Sequence, residues 1–276
     1  MGQATRRWLL RTGALIAATV SVIGLAGMAT ASPDGAARAT APARGTAPAR
    51  GTAPARAAAP ARAAAPAYVP PKALLKLGMH GPAVRRLQHR LAVLHYYPGA
   101  VDGKFGLDTL EAVWAFKTVQ GLIINSANQD IVSRAAERYL VHPRYQPRVW
   151  VPHGGALRIE VNLRDEVLVL YKNNTPALIT HVSTGAGCLP GEGCGWVTPT
   201  GNFRALSFFH GWETVPLGLM YNPVFFIGTE YAIHGENNSS VPFYAASHGC
   251  VRIPFDIATF FHTLIRVPGT PIYIRR

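Results

Sequence analysis

The sequence predicts an α+β chain with more than one domain, in which a small helical module precedes a mostly β domain. Three observations support this prediction. Apolar residues recur at helical spacing between residues 72 and 140, apolar and polar residues alternate in short runs between residues 147 and 276, and a repetitive segment without large apolar residues precedes both. The 276 residues are enough for two such domains with cores of their own.

The net charge of +13 does not require a nucleic-acid-binding surface. An excess of this size is typical of chains that bind nucleic acid or other polyanions. Here, more than half of the excess lies in residues 1–71, where Asp34 is the one acidic residue against eight Arg. We do not expect that segment to be globular, so a compact basic surface is not required and nucleic acid is not predicted as a partner.

Residues 1–31 have the three parts of an export signal. Met1–Arg11 is basic, Thr12–Met28 is apolar and uncharged, and Ala29–Ala31 is an A-x-A cleavage site. The Arg6-Arg7 pair is similar to a twin-arginine signal, although general secretory signals also contain adjacent arginines. We expect an extracytoplasmic protein without a stable membrane span after cleavage. An uncleaved anchor is the alternative, although 17 apolar residues make a marginal span.

Residues 32–71 predict a disordered, extended linker. A six-residue unit, Thr40-Ala41-Pro42-Ala43-Arg44-Gly45, recurs with small changes through Ala63. Proline in every unit breaks helices and favours polyproline II, in which some 38 residues at about 3.1 Å each span on the order of 100 Å. The evenly spaced arginines either hold the linker near anionic polymers or keep it soluble and extended.

Residues 72–140 predict a small helical module. Gly81-Pro82 is a helix start, and it is followed by an apolar stripe. The stripe consists of Val84, Leu87, Leu91 and Leu94. Residues 102–106 predict a tight turn, and Asp108 with Glu111 has capping-box spacing at the start of a second helix.

A longer pattern runs through this module. It consists of Leu77-Gly78-x-x-Gly81-x-x-Val84-x-x-Leu87-Gln88-x-x-Leu91, Val101-Asp102-Gly103-x-Phe105-Gly106-x-x-Thr109-x-x-Ala112-Val113-x-x-Phe116 and Gly121-Leu122. This pattern resembles the helical peptidoglycan-binding domain family and departs from it at Lys117, where the family usually has Gln. The resemblance implies peptidoglycan as a partner. Most matched positions also serve packing or turns, so no glycan-contacting residue is assigned.

Residues 147–276 predict a mostly β domain with antiparallel strands. The first strand contains Ile159, Val161 and Leu163, the second is Val167–Tyr171, and a turn at Lys172–Thr175 leads into a third. The third strand is Leu178–Val182, and the further strands are Val224–Ile227, Tyr231–Ile233 and Pro271–Ile274. Phe255–Ile265 is the one helix predicted in this domain.

Two motifs of this domain suggest a thiol nucleophile. His234 lies sixteen residues before Cys250, and a strand, a loop and a return turn can bring them together. A thiol with a pKa of about 8.5 becomes an effective nucleophile when a neighbouring imidazole takes its proton. Gly249 permits a turn that aims backbone N–H groups at a developing oxyanion, and Arg252 can bind a carboxylate.

His-Gly followed by Ser-His-Gly-Cys-x-Arg resembles the signature of the L,D-transpeptidase catalytic domain family (YkuD-like). The resemblance extends through Val182–Gly185, Thr198–Phe203 and Gly269–Ile274. Glu236 departs from the small hydroxyl residue often found after His-Gly. An acid there could perturb the base or contact substrate amines.

The resemblance implies a role for each residue of these motifs. Cys250 is expected to be the nucleophile and His234 its general base, oriented by the backbone carbonyl of Gly235. The further expected residues are His248 and Gly249 at the oxyanion site and loop, and Ser247 and Arg252 in substrate binding and loop support. The resemblance also implies acylation of Cys250 by carbapenems.

Cys188 and Cys194 are predicted to form a disulfide. They bracket a loop that contains Gly and Pro, and an exported protein can oxidise them. One disulfide and one reactive thiol account for three cysteines. Two free thiols, or a bridge from either residue to Cys250 in an inactive form, are the alternatives.

Together, the resemblances imply a secreted, cell-wall-associated enzyme that acts on peptidoglycan stem peptides and glycan. Its thiol would form an acyl-enzyme at the third stem residue, release D-Ala and pass the acyl group to an amine of a neighbouring stem, giving a 3→3 cross-link. The alternatives are an L,D-carboxypeptidase or amino-acid exchange enzyme, which share this acyl-enzyme, and a catalytically silent wall-binding protein. The linker arginines would then face anionic wall polymers.

No cofactor and no metal is expected. The sequence has no His-Glu-x-x-His motif, which would indicate a zinc site. A metal site formed by His234, His248 and Cys250 would have suitable ligand chemistry, but the motif offers no fourth ligand.

Overall fold

The computed structural model describes residues 67–237 and 241–276. The predicted export signal and the predicted linker up to residue 66 lie outside these residues. Residues 67–71, predicted as linker, belong to the folded domain: Tyr68 is buried in its core, and the Pro71 carbonyl accepts a hydrogen bond from Arg134 Nη1 at 2.8 Å. No helix of the described residues is long and apolar enough to cross a membrane.

The N-terminal domain contains the helices α1 (Pro82–Val93), α2 (Leu107–Val119) and α3 (Arg134–Val141). Pro82 begins α1 as predicted, at a position where its missing N–H would have no helical partner. The predicted turn before α2 is present, and Asp102 Oδ1 accepts the Lys104 N–H there at 2.8 Å. The sequence analysis missed α3, whose N-cap Ser133 accepts a hydrogen bond from the amide of Ala136.

The predicted capping box at the start of α2 is wrong. Gly106 is the N-cap, without a side-chain capping bond, and Asp108 lies inside the first turn. The side chain of Asp108 is hydrogen-bonded to Asp256 of the β domain. Glu111 Oε1 accepts the backbone N–H of Val241, also in the β domain, at 2.8 Å. Both carboxyl groups, which the spacing assigned to a local cap, therefore make contacts between the domains instead.

The β domain has short strands joined mostly by tight turns. In chain order they are β1 (Leu157–Asn162), β2 (Val167–Lys172), β3 (Thr175–His181), β4 (Gly187–Leu189), β5 (Gly193–Trp196), β6 (Gly201–Arg204), β7 (Ser207–Phe208), β8 (Trp212–Val215), β9 (Gly218–Ile227), β10 (Tyr231–Gly235), β11 (Val251–Ile253) and β12 (Pro271–Arg275). The predicted helix is α4 (Phe255–Phe260), which continues as a 3₁₀ helix over Phe261–Leu264. The sequence analysis missed β4 to β8 and β11.

The strands form two larger sheets and a hairpin. The first sheet has the order β3-β2-β1-β12-β6, the second has the order β11-β10-β9-β7 with β8 paired to β9, and β4 pairs with β5. Most pairs are antiparallel, as predicted, but two are parallel. In these, Ile159 lies opposite Ile272 and Ile233 lies opposite Val251. The alternation of apolar residues predicts which side chains face the core, but it does not identify the neighbouring strand.

The helical domain and the β domain share a hydrophobic core. One cluster of buried residues joins Leu87 and Phe116 of the helices to Val169, Tyr171 and Ile179 of β2 and β3. A second cluster fills the space between the two sheets and α4. Because the first cluster crosses from one domain to the other, we expect the two domains to unfold together.

Phe116→Ala is expected to lower the stability of both domains. Phe116 is 1% exposed, so its truncation should cost about 3–5 kcal/mol of unfolding free energy. Leu107→Ala, a control on the same helix where the side chain is 40% exposed, should cost about 0.5 kcal/mol or less. Denaturant unfolding followed by circular dichroism and by tryptophan fluorescence measures both. Two separate transitions, of which one shifts, would contradict a shared core.

Candidate active site

A cavity of about 460 Å³ lies beside the parallel pair β10–β11. Parts of the β4–β5 and β8–β9 hairpins form its other walls. Of the residues singled out in the sequence, the structure brings six to this cavity: His234, Glu236, Ser247, His248, Cys250 and Arg252. Gly235 and Gly249 adjoin them in the chain.

The pairing of β10 with β11 brings the two motifs together. His234 lies opposite Arg252, and the chain enters β11 directly after Cys250. The thiol of Cys250 consequently lies near the backbone N–H of Ala232. Gly235 is needed at the end of β10, because a Cβ there would lie 2.6 Å from the Cβ of Ala258 in α4.

His234 is buried, and its ring has a defined tautomer. Nδ1 lies 2.8 Å from the backbone carbonyl oxygen of Gly235. Because a carbonyl only accepts, Nδ1 carries the proton of the neutral ring and Nε2 keeps its lone pair. Burial lowers the pKa of His234 to about 4; the Gly235 carbonyl opposes this shift and the charge of Arg252 adds to it. At neutral pH the ring is therefore neutral and able to accept a proton.

Cys250 is a free cysteine with a half-buried side chain. Its thiol donates to the backbone carbonyl of Glu230, with 3.5 Å between sulfur and oxygen. Burial raises the pKa of the thiol, while the Ala232 N–H and the positive charge of Arg252 act in the opposite direction. The resting site thus combines a protonated thiol with a neutral imidazole.

Hydrogen bonds fix the loop in front of Cys250. Ser247 Oγ donates to the carbonyl of Cys250 at 2.6 Å and accepts the N–H of Gly249 at 3.0 Å. Thr198, which the sequence analysis did not single out as a site residue, donates from Oγ1 to the Gly249 carbonyl at 2.7 Å. Gly249 has a φ of +133°, and a Cβ there would lie 2.8 Å from the ring of Tyr231. Its amide is engaged with Ser247, so Gly249 shapes the loop in this structure.

Arg252 and Glu236 form an ion pair in the cavity wall. Arg252 Nε lies 2.9 Å from Glu236 Oε1, and Arg252 Nη1 donates to the carbonyl of Ala246 at 3.1 Å. The guanidinium thus connects the strand that carries His234 to the loop that carries Cys250. Glu236, the departure from the family pattern, partly neutralises the charge that acts on both residues.

The predicted disulfide between Cys188 and Cys194 is confirmed, and it closes the β4–β5 hairpin. Glu192 in the hairpin turn places Oε2 2.5 Å from His248 Nε2. The ring of Trp196 in β5 meets the same imidazole edge-on, with 4.7 Å between ring centres. The hairpin therefore contacts the loop two residues before Cys250, a contact that no local signal in the sequence indicates.

The β8–β9 hairpin supplies an apolar wall that the sequence analysis missed. Leu217 and Leu219 line the cavity although they are 55% and 56% exposed. Exposed apolar side chains at a cavity mouth are typical of a binding surface.

No metal site is formed by the residues that the structure describes. Within residues 67–237 and 241–276, no group of three or more His, Cys, Asp and Glu side chains could hold a metal ion. The alternative of a metal bound by His234, His248 and Cys250 therefore has no structural support.

The fold and site define a class: a β domain with a cavity that is lined by a histidine and a cysteine of two neighbouring strands, attached to a small helical domain. Residues 156–274 match the model of the L,D-transpeptidase catalytic domain (YkuD), and residues 80–125 match that of a putative peptidoglycan binding domain. Both resemblances noted in the sequence are thereby confirmed. The chain contains an L,D-transpeptidase catalytic domain preceded by a peptidoglycan-binding domain.

Solved structures provide a further comparison. The chain is similar to the crystal structure of an L,D-transpeptidase from Xylanimonas cellulosilytica, with 29% sequence identity, a TM-score of 0.65, and coverage of 75% of this chain and 100% of that one. An L,D-transpeptidase from Stackebrandtia nassauensis is 16% identical, with a TM-score of 0.41 and coverage of 73% and 97%. No curated protein sequence matches the chain.

Alkylation should detect one free thiol in the oxidised protein. We expect one adduct when the protein is denatured and alkylated without reductant, and three after reduction, because Cys188 and Cys194 are paired. Intact mass measures the number of adducts, and Cys250→Ser should give none without reductant. Three adducts before reduction would contradict the disulfide.

The rate at which Cys250 is alkylated in the native protein should keep rising at pH values above the ordinary pKa of a thiol. Only the thiolate reacts, and burial raises the pKa of this thiol. Arg252→Gln should shift the profile further upward, because the guanidinium favours the thiolate. The measurement is the rate of iodoacetamide labelling between pH 5 and pH 10. A plateau below pH 7, which a preformed thiolate–imidazolium pair would give, is the opposing result.

Proposed function

We propose that this protein is a peptidoglycan L,D-transpeptidase that uses Cys250 as its nucleophile and His234 as its general base. The observation that carries the proposal is the shared cavity, in which a free thiol and a neutral, buried imidazole line one wall. Acyl transfer from a peptide needs a nucleophile, a base and stabilisation of an oxyanion. The catalytic domain match supports the stem peptide of peptidoglycan as the acyl donor.

In the first half-reaction, Cys250 Sγ attacks the carbonyl that joins the third stem residue to the terminal D-Ala. His234 Nε2 takes the thiol proton as the C–S bond forms, and the Gly235 carbonyl stabilises the resulting imidazolium through Nδ1. The amides of His248 and Cys250 are the proposed oxyanion donors, because the Gly249 amide is engaged with Ser247. When the tetrahedral intermediate collapses, the C–N bond breaks and the imidazolium protonates the departing D-Ala amine.

In the second half-reaction, an amine of a neighbouring stem attacks the thioester. His234 removes a proton from the attacking amine, the C–S bond breaks, and the proton returns to sulfur, which restores the thiol. The product is a 3→3 cross-link. The ion pair of Arg252 with Glu236 keeps the strand of the base and the loop of the nucleophile in register through both steps.

The match of the helical domain supports peptidoglycan as the partner, and this domain would bring the site to its substrate. Peptidoglycan lies outside the cytoplasmic membrane, which supports an extracytoplasmic, cell-wall-associated protein. Export by the predicted signal and attraction of the arginine-rich linker to anionic wall polymers belong to the same proposal. Cys250 should also be acylated by carbapenems.

A tetrapeptide assay tests the function. Mature protein with purified disaccharide-tetrapeptide should give a dimer that lacks one D-Ala, detected by mass. Cys250→Ser should abolish the product, and His234→Gln should lower the rate about 10²- to 10⁴-fold, as expected for loss of a general base. His153→Gln, an exposed histidine outside the cavity, is the matched control and should keep full activity.

Other products would redirect the proposal. A tripeptide without dimer would mean that water is the acceptor, and exchange of D-Ala for a free amino acid would indicate an exchange enzyme. Absence of any product together with absence of a carbapenem adduct on Cys250 would favour a catalytically silent wall-binding protein. Full activity of Cys250→Ser would overturn the mechanism.

A further inference from the structure

The segment Val241–Ala246, here called the approach segment, leads directly into the loop Ser247–Cys250. Its first residue, Val241, is 1% exposed and has both backbone polar groups bound by other elements. The Val241 N–H donates to Glu111 Oε1 of α2 at 2.8 Å, and the Val241 carbonyl lies 2.9 Å from His181 Nε2 of β3. The helical domain and the first sheet therefore hold the same peptide unit from two sides.

Trp114, one turn along α2 from Glu111, reinforces this anchorage. Its ring lies edge-on to His181, with 5.4 Å between ring centres, and edge-on to Phe243 of the approach segment at 5.3 Å. Trp114 Nε1 donates to the carbonyl of Gln129 at 2.6 Å, which fixes the indole on the helical domain. One aromatic side chain thus contacts both the approach segment and the imidazole that binds it.

Further hydrogen bonds connect the approach segment to the loop that carries the thiol. Ser183 Oγ donates to the Tyr244 carbonyl at 2.7 Å and accepts the Ala246 N–H at 3.1 Å. Arg252 donates to the Ala246 carbonyl, and Ser247 then bonds to Cys250. A chain of hydrogen bonds and a short stretch of backbone consequently join Glu111 to the nucleophile.

Glu111 has no evident role within the helical domain itself. It makes no capping bond on its own helix, and it is only 4% exposed. Burial raises the pKa of Glu111 to about 8; the Val241 N–H opposes the shift, and Asp108 and Asp256 add to it. A buried carboxyl group that is not paired with a cation is costly unless it is hydrogen-bonded. Its contact with Val241 is the hydrogen bond that offsets this cost.

We propose that Glu111 is a positioning residue for the Cys250 loop, acting through the backbone of Val241. The helical domain would then be part of the catalytic apparatus in addition to binding the wall. This inference rests on the proposed function, since it assigns Glu111 to the transpeptidase reaction at Cys250. It follows from contacts between α2 and the approach segment, to which neither motif of the site points.

Variants of the full mature chain test this inference. Glu111→Ala should lower kcat in the tetrapeptide assay about 10- to 100-fold with little change in KM, because a small displacement of the nucleophile slows the chemical step. Glu111→Gln should restore kcat to within about threefold of wild type, because its amide oxygen can still accept the Val241 N–H. Because a loss of folded protein would also lower the apparent kcat without changing KM, kcat is normalised to the folded fraction, which circular dichroism measures at the assay temperature.

Glu137→Ala is the matched control. Glu137 is also a buried glutamate of the helical domain, 1% exposed, but it pairs with Arg134 of its own helix at 2.6 Å. This variant should lower the unfolding midpoint without changing kcat at temperatures where the protein is folded. Equal losses of kcat in Glu111→Ala and Glu137→Ala, or no rescue by Glu111→Gln, would overturn the inference.

Hydrogen exchange of the Val241 amide provides a test without relying on a foldable variant. In wild type this amide should be protected to the same degree as amides in the core of α2, and rapid exchange would overturn the inference. If the wild-type protein has no activity on stem peptides, the proposed function fails separately. Two measurements on Glu111→Ala then still test the inference: the protection of the Val241 amide and the iodoacetamide labelling rate of Cys250. If both are the same as in wild type, the inference is refuted.

Discussion

The parallel pairing of β10 with β11 is the constraint on which the rest of the site depends. It places His234 opposite Arg252 and brings Cys250 to the neighbouring end of β11. A parallel pair cannot be closed by a tight turn, so the chain between the two strands must leave the sheet and come back. The returning part of this connection is the approach segment, and its path is set by α2, β3 and Ser183. The proposed catalytic geometry therefore depends on elements that contribute no reacting atom.

The charges around the thiol and the imidazole have opposing effects that the fold balances. Burial stabilises the neutral form of both Cys250 and His234. Arg252 favours the thiolate but disfavours the imidazolium, so its charge would help one half of the proposed proton transfer and hinder the other. Glu236 at 2.9 Å reduces this conflict, which gives a physical reason for an acid where the family often has a hydroxyl residue. In the proposed mechanism, the thiol of Cys250 and the imidazole of His234 can thus stay uncharged at rest, and His234 becomes charged only as the substrate reacts.

The sequence predicted the helical start at Pro82, the first three strands and the disulfide, because each depends on local chemistry or short spacing. It also singled out six of the residues that line the cavity, since the thiol and imidazoles occur in a specific motif. The failures concern partners distant in the chain. Asp108 and Glu111 have the same spacing whether they cap their own helix or bind Asp256 and Val241, and only the folded structure distinguishes these outcomes. The parallel pairs and the apolar wall of the β8–β9 hairpin were missed for the same reason.

The shared core has a consequence for how wall binding and catalysis are related. A module joined by a flexible hinge would let a bound glycan sample many positions relative to the cavity. Here Phe116 and Trp114 of α2 pack into one cluster with, or directly against, side chains of β2 and β3, and Ile179 donates to the His95 carbonyl at 2.8 Å. In the proposed function, a peptidoglycan strand held by the helical domain would therefore have a fixed position relative to the cavity. Such an arrangement favours reaction at stems of a defined distance and orientation, because the entropy of aligning them is lost on binding rather than in the chemical step.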